Sequence, residues 1–120
     1  MGVRARQPSE IESRKTMREI VKRPLAKNDL ILAYGYLEYE AEVRVADRFL
    51  EAVEKAFETL ASWPGMGVRR THGGVEMQML PVPKFTKYLI YYIPTDATLE
   101  VIRVLHGAQD IEAIFNPAEE

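Results

Sequence analysis

The amino-acid sequence predicts an α+β fold of the order β-α-α-β-β-β, with a helical hairpin packed on a small antiparallel sheet. Two consecutive segments, 26–41 and 43–62, carry apolar residues at helical spacing and are separated by a very short turn. Three strand-like segments then follow one another at hairpin spacing. Antiparallel strands that are adjacent in sequence form a meander, and the helices cover one of its faces.

The first strand and the first helix are separated by Pro24. Residues 18–23 are predicted to form a short strand that ends there, because proline cannot donate a hydrogen bond to a sheet ladder. The helix predicted over residues 26–41 has its apolar positions on one face. These positions are Leu30, Ala33, Tyr34, Leu37 and Ala41.

The second helix, over residues 43–62, has the most regular apolar stripe in the chain. The stripe consists of Val45, Phe49, Ala52, Val53, Ala56, Phe57 and Leu60. Pro64 cannot continue a helix and Gly65 permits a turn, so the helix is expected to end at Trp63. A loop is predicted from there to Gly73-Gly74.

The three later strands are predicted at residues 75–82, 86–93 and 99–106, and residues 109–115 are predicted to form a short terminal helix. The last two strands are apolar on both faces, whereas one helical hairpin covers only one face of a sheet. The uncovered face would expose some of Tyr88, Ile90, Tyr92, Ile102 and Val104, or else the side chains that alternate with them along the strands. Because soluble proteins rarely expose such a patch, we expect a binding partner or a docked terminal segment to cover it.

Length and composition indicate a single domain without covalent cross-links. The chain has 120 residues and no cysteine, which excludes disulfides and Cys-ligated metals. We predict a flexible extension at 1–16, the domain at 17–115 and a tail at 116–120, with no cofactor and no metal. No apolar segment of about 18 residues and no apolar signal segment is present, so we expect a cytoplasmic protein without membrane contact.

Charge is unevenly distributed along the chain. Residues 1–27 carry eight basic and three acidic side chains, a net charge of +5, whereas the remaining residues carry eight basic and fifteen acidic ones, a net charge of −7. One interpretation is a basic disordered tail beside an acidic domain. The other is an arm that contacts nucleic acid or an acidic partner.

Few residues offer recognisable chemistry. His72 and His106 lie far apart without a metal-ligand pattern, and no phosphate-binding loop or serine nucleophile motif occurs. Basic and aromatic side chains on the predicted strands and loops remain: Arg69, Arg70, Lys84, Lys87, Arg103, Tyr88, Tyr91, Tyr92 and His106. Such a set can supply the general base, cations and acid of a metal-free ribonuclease. Alternatively, the tyrosines are half-buried sheet residues and the lysines are solvated.

Three motifs resemble those of one family of bacterial toxins. Val101-Ile102-Arg103-Val104-Leu105-His106-Gly107 is similar to the last strand of ParE-like toxins, and Gln109-Asp110-Ile111 follows it as in that family. Tyr88-Leu89-Ile90-Tyr91-Tyr92 looks like the central strand of the family. Leu60-x3-Pro64-x2-Gly67-x-Arg69 matches its link between helix and sheet. Three motifs in this order, within residues 17–115, resemble the ParE/RelE toxin–antitoxin superfamily and imply its fold.

This resemblance implies one of two activities. RelE-like members cleave messenger RNA on the ribosome, whereas ParE-like members poison DNA gyrase. The ribonucleases carry functional Arg and Tyr residues at and after the last strand, but the tail after Gly107 has no Arg, Lys, Tyr or His. This departure favours a gyrase-inhibiting toxin that is not an enzyme. The alternatives are a metal-independent, ribosome-dependent endoribonuclease and a toxin-like domain that has lost toxicity.

The resemblance also implies partners and sites. A ParD-like antitoxin would lay a helix and an extended segment across the toxin in a hetero-oligomeric complex. The apolar residues expected to receive it are Leu30, Tyr34, Leu37, Tyr88, Ile90 and Tyr92. In a gyrase inhibitor the target-facing motif would be Arg103, His106 and Gly107. In a ribonuclease the catalytic candidates would be Arg69, Lys84, Lys87, Arg103 and His106.

Overall fold

A computed structural model describes residues 17–117 of the chain, so the predicted extension at 1–16 and the last three residues of the predicted tail lie outside the described residues. The elements are β1 (Glu19–Lys22), α1 (Pro24–Glu40), α2 (Val43–Ser62), a 3₁₀ turn (Pro64–Met66), β2 (Val68–His72), β3 (Val75–Val82), β4 (Phe85–Pro94), β5 (Thr98–His106) and α3 (Ile111–Phe115). The predicted α+β class, a helical hairpin on a sheet, is confirmed. In the described part of the chain, no helix is long and apolar enough to cross a membrane.

The sheet has five strands in the order β1-β5-β4-β3-β2. β1 lies parallel to β5 and the other neighbours are antiparallel. The prediction of a loop before Gly73 was wrong, because Val68–His72 forms the edge strand β2, which pairs with β3 along its whole length. Its first four side chains are exposed, so β2 lacks the apolar alternation by which a strand is recognised in sequence.

The main core lies between the helical hairpin and one face of the sheet. Phe49, Phe57 and Leu60 of α2 are fully buried there. The sheet contributes side chains from β4 and β5 that point toward the helices, namely Tyr88, Ile90, Tyr92, Leu99, Val101 and Val104. These positions on α2, β4 and β5 are the ones at which the sequence is most regularly apolar, so the pattern and the core agree.

The opposite face of the sheet is covered by the end of the chain itself. Met77, Tyr91 and Leu105 are buried in a second cluster. Ile111, Ile114 and Phe115, all from α3, pack against that cluster. Of the two alternatives predicted for this face, a docked terminal segment is therefore the one that the structure shows.

Candidate partner-binding face and cleft

Arg103 and Asp29 join the last strand to the first helix through a nearly buried ion pair. Arg103 Nε and Nη2 donate to the two carboxylate oxygens of Asp29, each over 2.8 Å. The backbone N–H of Val104 donates to the same carboxylate over 2.9 Å. The hydrogen bonds from the guanidinium to Asp29 raise the pKa of Arg103 above its ordinary value, against the opposing effect of burial. Arg103 is thus held by two of its donors in a structural pair.

A β-bulge directs Arg103 to this partner. Tyr91 pairs with Arg103 whereas the next residue, Tyr92, pairs with Val101, so Ile102 is an extra residue on β5. Bulges of this kind re-aim side chains relative to a regular strand. Ile102 packs into the far-face cluster, while the guanidinium of Arg103 reaches α1 on the helix side.

His106 closes the turn that follows β5. Its backbone N–H donates to Gln109 Oε1 over 2.7 Å, and its carbonyl accepts the Gln109 N–H over 3.0 Å. Its Nδ1 accepts the backbone N–H of Ala108 over 3.0 Å, which assigns the ring proton of the neutral imidazole to Nε2. Gly107 donates its N–H to the Lys87 carbonyl over 2.7 Å and so ties the turn to β4.

An open cleft lies between α1 and the ends of β4 and β5. It consists of two adjoining depressions of about 400 and 350 Å³, which share Tyr36, Tyr88 and His106. Leu32, Asp29 and Gln109 line the first depression, and Lys84 and Lys87 line the second. We call this feature the α1–β5 cleft. The Tyr88 ring meets His106 edge-on at 5.0 Å, and burial raises the pKa of the Tyr88 hydroxyl, so that hydroxyl stays protonated.

The five basic residues predicted for a ribonuclease do not form one site. Lys84, Lys87 and His106 meet at the α1–β5 cleft. Arg103 is engaged by Asp29 in the ion pair described above, with 18% of its side chain exposed. Arg69 lies on the edge strand β2, two strands from β4, where it faces Glu76 at 3.6 Å with both side chains largely exposed.

The residues predicted to receive an antitoxin are for the most part core residues. Ile90 and Tyr92 are fully buried and Leu30 is 8% exposed, so these three present almost no surface to a partner in this conformation. Leu37 packs against the same core and the Tyr34 hydroxyl donates to Asp47 of α2 over 2.7 Å. Tyr34 and Leu37 are half-buried, and Leu37 and the edge of Tyr88 line the α1–β5 cleft. Leu30, Ile90 and Tyr92 are thus core residues in this conformation, and their contact with an antitoxin stays a prediction.

A stripe of exposed apolar side chains lies on another face of α1, and sequence reasoning missed it. Its members are spaced by seven, four and three residues and therefore share one helical face. They are Leu25, Leu32, Tyr36 and Tyr39, with exposed fractions of 58, 63, 55 and 85%. We call this set the outer stripe of α1. Its spacing is visible in the sequence beside the predicted apolar face of Leu30, Ala33 and Leu37, and apolar residues on two sides of a helix indicate two packing surfaces.

A family model described as "ParE toxin of type II toxin-antitoxin system, parDE" matches residues 20–111, most of the chain. The chain belongs to the ParE toxin family. The predicted family is confirmed, and with it the general role of toxin in a type II toxin–antitoxin system. A search of curated proteins gave no match.

Among solved structures, the ParE-family chain is similar to a chain of the "Chromosomal ParDE TA system from P. aeruginosa". The TM-score is 0.64 at 12% sequence identity, over 77% of this chain and 98% of the other. At this identity the likeness shows the shared fold.

The ParE-like motif between α2 and the sheet has a structural role in this toxin. The Tyr92 hydroxyl donates to the Pro64 carbonyl over 2.6 Å and accepts the Gly67 N–H over 2.9 Å. A Cβ on Gly67 would lie 2.5 Å from that hydroxyl and 2.8 Å from the Met79 carbonyl oxygen, so only glycine fits there. The proline and glycine of the motif thus seat the 3₁₀ turn against β4.

Proposed function

We propose that this ParE-family toxin arrests growth by poisoning DNA gyrase and is neutralised by a ParD-like antitoxin that covers the outer stripe of α1. The observation that carries the antitoxin part is the exposed stripe itself. Four large apolar side chains on one helical face are more than half exposed, which is unusual for a soluble protein without a partner. The similar ParDE chain belongs to a system with an antitoxin, which supports a partner of that kind here.

The form of the stripe supports a helical antitoxin segment. Its members span Leu25 to Tyr39, about four helical turns, which matches the length of a short amphipathic helix. Leu32 and Tyr36 also line the α1–β5 cleft, so the partner helix would rest against a groove rather than a flat surface. Binding of an amphipathic helix in an apolar groove uses anchors at such spacing. A hetero-oligomeric complex follows from this proposal.

The position of the basic residues supports gyrase inhibition over RNA cleavage. Among the described residues, Arg103 forms an ion pair with Asp29, and Arg69 lies two strands away from the cleft. The five candidate residues therefore cannot surround one phosphate. The far face of the sheet is filled by Met77, Tyr91 and Leu105 under α3. Family membership then favours a protein target. In this proposal His106 and Gly107, in the turn after β5, contact the target, and Arg103 contributes by holding β5 in position.

The test is a cleavage assay with purified toxin, DNA gyrase, ATP and supercoiled plasmid, with and without the cognate antitoxin. The expected result is protein-linked DNA breaks that appear with the toxin and disappear when the antitoxin is added. A parallel reaction with translating ribosomes and a messenger RNA serves as the discriminating arm. Absence of breaks together with ribosome-dependent RNA cleavage would reject the gyrase proposal and restore the endoribonuclease alternative.

A further inference from the structure

The α1–β5 cleft contains two cations without an anionic partner. Among residues 17–117, neither Lys84 nor Lys87 takes part in a salt bridge, and both side chains are exposed. The one carboxylate that lines the cleft, that of Asp29, already accepts three hydrogen bonds. The cleft is therefore locally positive, although residues 28–120 carry a net charge of −7. A polyanion is repelled by most of this surface and attracted to the cleft.

The same cleft offers rings and a neutral donor beside the lysines. Tyr36 is 55% exposed and lines both depressions together with Tyr88. The Ala108 amide occupies Nδ1 of His106 and leaves Nε2–H as the donor of that ring. Exposed aromatic faces beside cations are the two components by which proteins bind single-stranded nucleic acid without sequence preference.

We propose that the α1–β5 cleft binds a short stretch of single-stranded nucleic acid, with Lys84 and Lys87 on adjacent phosphates and a base stacked on Tyr36. The open shape suits a strand that passes through, because the two depressions adjoin along one groove. A single strand is favoured over a duplex, because a duplex keeps its base faces stacked and unavailable to Tyr36. The proposal is one of binding, because the Asp29 carboxylate and His106 Nδ1 already accept hydrogen bonds from Arg103, Val104 and Ala108.

This inference does not rest on the proposed gyrase target. A toxin with any target retains the cleft, and a failed gyrase assay leaves the binding experiment unaffected. An acidic peptide is the competing occupant, because carboxylates also pair with lysines. The phosphate strand is favoured by the exposed ring of Tyr36, which has a stacking role for a base and none for a carboxylate.

The experiment measures fluorescence anisotropy of end-labelled oligothymidylate and oligouridylate, each about eight nucleotides long, a typical length for such sites. The full chain is compared with the variant Lys84→Gln/Lys87→Gln. The matched control, Arg69→Gln/Arg70→Gln, removes the same charge from exposed side chains on β2. The eight basic residues among the first 27 are unchanged in every variant, so their contribution to oligonucleotide binding is the same in each comparison.

We expect the lysine variant to bind at least about tenfold more weakly and its salt-dependence slope to fall by about 1.4, since each phosphate contact contributes about 0.7 for single strands. The control variant should change affinity by less than about half as much on a logarithmic scale. Tyr36→Leu, which keeps the side chain apolar, should lose about tenfold through the missing stack. Equal affinity for the DNA and RNA oligonucleotides would indicate that the cleft recognises only phosphate and base. A preference for one would identify whether the natural strand is DNA or RNA.

Three results would overturn the proposal. One is equal weakening by the lysine and arginine variants, which indicates diffuse attraction by the whole protein. Another is the absence of binding by either oligonucleotide to the wild-type chain at low salt. The third is competition by an oligoglutamate of equal length that displaces the oligonucleotides and binds the wild-type chain and Tyr36→Leu with the same affinity. That result would identify an acidic peptide as the occupant.

Discussion

Asp29 holds the side chain of Arg103 and the backbone of Val104 at the same time. Asp29→Ala leaves the Arg103 side chain, which is only 18% exposed, without its counter-charge. We expect the free energy of unfolding to fall by about 3 kcal/mol, because an unpaired buried charge costs more than the pair contributes. Urea denaturation of Asp29→Ala, Arg103→Ala and the double variant measures this. Additive losses in the double variant would contradict a direct coupling between the two residues.

Gly67 is required because two oxygen atoms occupy the space of a side chain. Gly67→Ala would place a Cβ 2.5 Å from the Tyr92 hydroxyl and 2.8 Å from the Met79 carbonyl. We expect a loss of about 2 kcal/mol of unfolding free energy, as for overpacked interiors. Gly65→Ala, two residues earlier in the same turn, is the control, because nothing lies within 4 Å of its added Cβ. Equal melting temperatures for the two variants would show that the close contact relaxes at no cost.

At the level of the elements, the outer stripe of α1 gives the most direct test of antitoxin binding. We expect Leu32→Gln/Tyr39→Gln to weaken the complex with the cognate antitoxin by about a hundredfold, because both residues would be large apolar anchors that the antitoxin buries. Met66→Gln/Val75→Gln is the control, since these apolar side chains are about half exposed and lie outside α1. Calorimetric titration with the antitoxin measures both. If the control weakens binding as much as the stripe variant, the antitoxin binds elsewhere.

α3 depends on the β2–β3 turn for its position, because five residues are too few for a stable helix in isolation. His72 Nδ1 lies 2.8 Å from a Glu112 carboxylate oxygen, the His72 ring stacks on Phe115 at 5.1 Å, and the Phe115 carbonyl lies 2.5 Å from a Cβ placed on Gly73. Gly73→Ala should therefore release α3 from the sheet. We expect faster amide hydrogen exchange at Ile114 and Asn116, whose amides are hydrogen-bonded within α3.

Gly74→Ala separates this effect from backbone strain. Both glycines have positive φ, 58° and 76°, so either alanine carries a similar strain of about 1 kcal/mol. Only Gly73 contacts α3, since nothing lies within 4 Å of a Cβ on Gly74. Unchanged exchange at Ile114 in Gly73→Ala, or equally fast exchange in both variants, would show that the turn does not hold α3.

The elements that sequence reasoning predicted well are those whose pattern is set by one buried face. α2 was placed correctly because Phe49, Phe57 and Leu60 alternate with charges at helical spacing. β2 was missed because an exposed edge strand has no such pattern. The role of Arg103 was also inaccessible, because its partner Asp29 lies 74 residues away and its direction depends on a bulge. The spacing of apolar residues along the chain predicts a helix or strand with one buried face. The position of a side chain such as Arg103 depends instead on strand register and on contacts between distant parts of the chain.

At the scale of the whole molecule, β1 and the residue before it contact several distant parts of the domain. β1 pairs in parallel with β5 through four residue pairs, and Ile20 packs against the main core. Just before it, the Arg18 N–H donates to the Ala61 carbonyl over 3.2 Å and the Arg18 Nε donates to the Thr95 carbonyl over 2.7 Å. These contacts tie the beginning of the described chain to the end of α2 and to the β4–β5 turn. The predicted domain boundary at residue 17 stays a prediction, and these contacts show only that the described chain is already part of the fold at Arg18.

Two truncations test where the folded unit begins. Deletion of residues 1–16 should change the free energy of unfolding by less than about 0.5 kcal/mol, because the sequence there contains few large apolar side chains. Deletion of residues 1–22 should cost about 3 kcal/mol or more, because it removes the β1 ladder and the buried part of Ile20 and opens the edge of β5. Thermal and urea denaturation of both proteins measure the difference. A large loss on the shorter deletion would mean that residues 1–16 belong to the domain. The predicted boundary at residue 17 would then be wrong, and the basic N-terminal residues would have a structural role.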